Sequence, residues 1–196
     1  MRDRVADLMT EAMRVETYLD RTHGETVDMW RFNDEEVIAR RDGFSYENVG
    51  VTGISRFFVE RLAPRNKAFG GFFRKTGLSA FHKRSHTARA IGVMFGPGNS
   101  RIEQADVGRR FARVFLTATK LGLDIHPMNQ LLQEYDELAE VRERFSEIIK
   151  SLQPNSVLPT VDMVTGVPTA QLLFRVGRAK PTPHAARRDL MDFLKS

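Results

Sequence analysis

Between residues 105 and 121, Val107, Phe111, Val114, Phe115, Ala118 and Leu121 recur at spacings of three and four, which is the period of one helix face. The pattern predicts a helix, and so continuous a stripe implies one that is central and largely buried. Gly122 stands where a left-handed residue would close it, Leu123 to His126 is a short apolar run able to begin a strand, and Pro127 stops the run. The expected product is a buried helix, a tight turn, a short strand and then a loop, His126 to Gln130, that emerges at the edge of the core. Such edges are common places for a ligand.

The remaining periodicities supply the other elements. Val5, Leu8, Met9, Ala12, Val15 and Leu19 predict an amphipathic helix ending near Gly24. Asn33 with Glu36 has the spacing of a capping box, so Asp34 to Arg41 reads as a short helix with Gly43 as its terminator. The acids Asp34, Glu35 and Glu36 then serve the first turn of that helix rather than a carboxylate site. Arg89 to Phe95 reads as a strand buried on both faces. Leu138, Val141, Phe145, Ile148 and Ile149 mark a further helix, with Glu140, Arg144, Glu143 and Glu147 on its wet side. The prolines at 154, 159 and 168 with Gly166 predict an irregular connection over 153 to 168, and Gln171 to Val176 reads as the last strand. The tail, with prolines at 181 and 183, should dock through Leu190, Phe193 and Leu194 while presenting Arg187 and Arg188. Paired arginines suit a phosphate.

The stretch from Gly53 to Thr87 carries eight Arg and Lys against one acid, Glu60, together with six phenylalanines. Basic groups interleaved with aromatics suit single-stranded nucleic acid. Glycines at 70, 71 and 77 and Pro64 are expected to break the stretch into short pieces, and phenylalanines on such a backbone also make a lid over an apolar ligand. With neither an RNP-like motif nor a long basic helix expected, the lid is the preferred reading. His82 and His86 have the spacing of a two-histidine metal site, but no carboxylate lies nearby in sequence and Lys83 and Arg84 do, so both are read as exposed histidines. The turn at 96 to 100, GPGNS, lacks the dinucleotide and P-loop fingerprints.

Composition narrows the picture. A chain of 196 residues, 41% hydrophobic and 28% charged, suits one domain. A net charge of +5 favours anionic ligands, phosphate first, and is too small to imply nucleic acid alone. The absence of cysteine excludes disulfides, a thiol nucleophile and cysteine zinc sites. The start lacks an apolar signal region and no long apolar run follows, so a soluble, cytoplasmic protein with no membrane partner is expected.

The run FLTATKLGLDIHPMNQ, supported by ARAIGVMF at 88 to 95, AQLLFRVGRA at 170 to 179 and RRDLMDFL at 187 to 194, resembles the nitroreductase-like flavoproteins, and within them the divergent branch related to mycobacterial dormancy flavoproteins. The resemblance covers 88 to 196 well and 26 to 43 weakly. It implies an α+β fold, a small mixed sheet packed with several helices, incomplete relative to the full family fold, with 44 to 87 as the variable lid-like segment of a single domain. It also implies FMN as cofactor, with Pro127, Met128 and Asn129 along the flavin ring, Gln130 where the family often has Gly, and Arg187 and Arg188 at the phosphate. No side chain need act as catalytic acid, base or nucleophile, and no metal is called for. The implied activity is transfer of electrons from NAD(P)H through FMN to a small acceptor. A non-catalytic FMN store is the alternative, and a basic, aromatic nucleic-acid binder the second. The family's opening basic segment has no counterpart here. A second copy of the chain, or another partner, is therefore expected to supply that half-site.

Overall fold

The computed structural model describes residues 1–49, 51–62, 67–152, 169–179 and 185–194. The chain is mixed α and β, and mostly helical. In order, the elements are α1 (Arg2–Tyr18), α2 (Asp20–Asp28), β1 (Trp30–Arg31), α3 (Asp34–Arg40), β2 (Phe44–Ser45), α4 (Gly53–Leu62), α5 (Lys67–His86) and β3 (Ala90–Gly96). They continue with α6 (Arg101–Lys120), β4 (Asp124–Pro127), α7 (Ala139–Leu152), β5 (Thr169–Gly177) and α8 (Leu190–Phe193). One-turn 3-10 helices occupy Asn129–Leu132 and Asp136–Leu138. Two compact units result, the first from 1–16 and 78–179, the second from 17–77 and 180–196.

The first unit is built on a three-stranded antiparallel sheet in the order β3-β5-β4. Opposed residues of an antiparallel pair share a face, so the pairing of Val93 with Leu173 puts both on one side and that of Gly92 with Phe174 puts those on the other. On the first side Leu173 is fully buried in a core with Val5, Leu8, Met9 and Ala12 of α1, Phe81 of α5, and Val141, Phe145 and Ile148 of α7. The apolar spacings of the first and seventh helices therefore select the buried faces as expected. On the other side Phe174 lies across Gly92 and its ring centroid is 5.5 Å from that of Phe111 on α6. A β-carbon at position 92 would fall on the Phe174 ring, and only glycine leaves room for that packing.

Helix α6 forms where its pattern places it, but it is neither central nor largely buried. Only Val107 and Ala118 are buried, whereas Val114, Phe115 and Leu121 are 38%, 43% and 62% exposed. The stripe meets a narrow sheet, and no other described element covers the rest of it. Both of its ends are well made. Ser100 and Glu103 form a reciprocal capping box. At the other end Gly122 has φ 66°, with Leu123 N–H donating to Ala118 O at 2.8 Å and Gly122 N–H to Thr119 O at 3.0 Å. That is a complete Schellman closure, which needs the left-handed backbone glycine tolerates.

Other expectations are corrected. The sheet of the first unit is antiparallel throughout rather than mixed, and β3 is half-buried along most of its length because one side carries only α6. The first helix stops at Tyr18, and Gly24 lies inside α2. Arg144, on the wet side of its helix, reaches Glu11 of α1 at 2.9 Å. The glycines at 70, 71 and 77 do not break the chain, since α5 runs through all three. This 20-residue basic helix, Lys67–His86, removes one of the two grounds for preferring a lid to a nucleic-acid groove. Pro64, the irregular connection over 153 to 168 and the prolines at 181 and 183 lie outside the described residues. Leu190 and Leu194 are 73% and 69% exposed, so neither docks the tail.

In the second unit β1 and β2 pair in parallel, and the Trp30 ring meets those of Phe44 and Tyr46 at 4.9 and 5.2 Å. Asn33 caps α3 by accepting from Glu36 N–H at 2.8 Å, while the Glu36 carboxylate accepts from Phe32 N–H rather than from Asn33 itself. The left-handed closing residue is Arg41, with φ 51°. Gly43 then turns the chain with φ 68°, where a side chain would collide with Met29 O.

Candidate functional site

Helix α6, its Gly122 closure and the edge strand β4 deliver residues 127 to 130 to the end of the β4–β5 ladder. Pro127 is exposed, whereas Met128 is 1% exposed and part of the core. Met128 N–H donates to Leu173 O at 2.8 Å, and Asn129 Oδ1 accepts from Leu173 N–H at 2.9 Å. Asn129 thus extends the ladder by one side-chain hydrogen bond after the strand has ended. Gln130 is half-buried, and its Oε1 is closed off from solvent with no hydrogen-bond partner among the described residues. Buried acceptors are usually paired. Next to this turn, His126 Nδ1 accepts from Arg175 Nε at 3.4 Å. Desolvation, followed by the charges of Arg175 and Arg84, holds that imidazole below its usual range.

The two arginines fall in the second unit and differ from one another. Arg188 is anchored, for its guanidinium pairs with Asp42 and donates to Arg40 O at 3.3 Å. Arg41 pairs with Asp189 at 2.7 Å beside it, and Ile38 to Asp42 line an open polar hollow of about 670 Å³ with Arg188 and Asp189. Asp42 also receives the buried Arg31, whose Nε donates to it at 2.8 Å. Arg31 first, and Arg188 after it, hold the Asp42 carboxyl below the usual carboxylate range. Arg187 is exposed and has no ion-pair partner among the described residues.

The basic stretch spends part of its charge internally. Arg56 pairs with Asp34 and Glu47, and Arg74 with Asp20 at 3.1 Å. Phe57 and Phe58 remain exposed on α4, edge to face at 5.9 Å. No described helix is long and apolar enough to cross a membrane.

A second constellation was invisible to local reading. His82 and His86 do share a face of α5, with ring centroids 4.2 Å apart, and α1 brings Asp7 to them. Asp7 Oδ1 lies 3.1 Å from His86 Nε2, which is closed off from solvent and makes no aligned hydrogen bond among the described residues. The spacing of the histidines was readable, but the carboxylate comes from a distant helix that only packing aligns.

No family model, no curated protein and no solved structure matches this chain.

Proposed function

We propose that the chain binds FMN against the 127–130 loop and passes electrons from NAD(P)H through it to a small acceptor, in the manner of the nitroreductase-like flavoproteins it resembles. The observation that carries the reading is the loop itself. A left-handed closure at Gly122 leads from α6 into an edge strand and on to Gln130, whose buried Oε1 has no hydrogen-bond partner among the described residues and would meet a ligand by a turn of its side chain. The imide edge of a flavin offers an N–H donor of the kind this oxygen lacks. Asn129 and Met128 fix the loop on Leu173 so that its backbone is held before a ligand arrives. Bound flavin supplies the redox chemistry, and the residues here orient it and balance its charge. The resemblance assigns the phosphate to Arg187 and Arg188, of which Arg187 is exposed and has no ion-pair partner among the described residues. A second copy of the chain, or another partner, completes the site.

The test is the visible spectrum of the purified protein, before and after incubation with FMN, with mass spectrometry of any released ligand. A yellow protein carrying FMN in stoichiometric amount is expected, bleached by NADH or NADPH without oxygen. Colourless protein that takes up no FMN overturns the reading. Bound flavin that no nicotinamide reduces leaves a flavin store.

A further inference from the structure

The geometry points to a divalent transition-metal site formed by Asp7, His82 and His86, and we propose that this cluster binds zinc or a similar ion. The site is independent of the flavin reading and uses none of its residues. One ligand atom from each of the three residues lies within 4.8 Å of the others. Tetrahedral ligands at about 2.0–2.1 Å from zinc stand about 3.3 Å apart. Asp7 Oδ1 and His86 Nε2, at 3.1 Å, already have about that separation, and the His82 ligand atom lies within 4.8 Å of both.

Three features argue against a simple ion pair between Asp7 and His86. The first is that the pair is close without being aligned as a hydrogen bond, and His86 Nε2 is closed off from solvent with its bonding capacity unused. Two groups pointing at a common place, with no proton shared between them, is the arrangement a cation would satisfy. The second is the support behind His82. Thr10 donates its only hydroxyl hydrogen to Ala6 O at 2.9 Å. At 3.4 Å from His82 Nδ1 the hydroxyl oxygen can then only accept. The His82 proton is therefore placed on Nδ1 and a lone pair is left on Nε2, the kind of outer partner that orients metal-binding histidines. The third is the local charge. Arg84 follows His82 by two residues and so leaves α5 on another face, while Lys83 and Arg4, three residues before His86 and Asp7, are exposed and can carry their charges into solvent. The nearby Arg2 is paired with Asp3 at 2.7 Å and bonded to Ala88 O at 3.2 Å.

Two imidazoles and one carboxylate suit zinc, cobalt, nickel or iron rather than magnesium or calcium, which prefer all-oxygen shells. Three protein ligands leave a coordination position for water or another ligand, and Asp7, 65% exposed, sets that side open to solvent. The ion would also clip the start of α1 to the end of α5, both in the first unit.

The experiment is calorimetric titration of the tag-free full chain with zinc and separately with cobalt, repeated on His82→Gln, His86→Gln and Asp7→Asn. His23→Gln, at a histidine outside the cluster, is the control. One ion per chain is expected. Each of the three replacements should lower affinity at least by the roughly 10–100-fold that loss of an outer partner alone costs, and the control should not. Cobalt should show the intense visible bands of a tetrahedral site. Circular dichroism of each variant separates lost binding from lost folding, and the amide replacements keep size and hydrogen bonding so that the fold survives. No binding to the intact chain, or binding that survives both histidine replacements, overturns the proposal.

Discussion

The loop residues carry different loads, and Asn129 is the one whose role is settled by its bonds. Its amide oxygen satisfies Leu173 N–H, and Leu173 itself is fully buried. Asn129→Ala leaves that donor unpaired at a place water reaches poorly. An unsatisfied buried group costs about 1–3 kcal/mol, so urea denaturation should show a loss in that range with an unchanged slope. A loss near zero would mean that water substitutes for the amide. Gln130 is the contrasting case, since its buried oxygen has no hydrogen-bond partner among the described residues. Sequence could mark 127 to 130 as a loop at a core edge. It could not show that one neighbour is tied to the sheet and the next is not, because that division depends on the register of β5.

Helix ends were more legible than helix surroundings. The Gly122 closure and the Ser100 capping box are local, and local residue types decide them. Whether the stripe on α6 is covered depends on how wide a sheet the rest of the chain supplies, and periodicity reports a face, not its partner. The glycines of α5 mislead for the opposite reason. Each costs only about 1 kcal/mol in a helix, and the packing of residues such as Phe81 and Ser85 into the core outweighs that cost. Gly77 is exposed in the middle of this helix, and a β-carbon there would meet nothing within 4 Å. Gly77→Ala should therefore raise stability by about 0.4–1 kcal/mol, read as a higher midpoint in thermal or urea unfolding. If this segment instead had to bend at Gly77, as a glycine-hinged lid would, the same change would leave stability unimproved.

At the scale of the whole molecule, a net charge of +5 draws anions in general, so specificity for a phosphate has to come from particular arginines. Arg188 makes a poor probe, because it pairs with Asp42, which also holds the buried Arg31, and its loss would disturb the second unit. Arg187 has no such tie among the described residues. If it grips the FMN phosphate, Arg187→Ala should weaken FMN binding by about 1.5–3 kcal/mol, the usual worth of a hydrogen bond to a charged group, or roughly ten- to a hundredfold in Kd. Riboflavin has no phosphate, so its affinity should stay the same, and so should the thermal midpoint of the unliganded protein. Raising the salt concentration should narrow the difference between wild type and variant for FMN, since the contact is exposed and screened. Equal losses for FMN and riboflavin would remove Arg187 from the phosphate and leave its charge as part of a solvated tail.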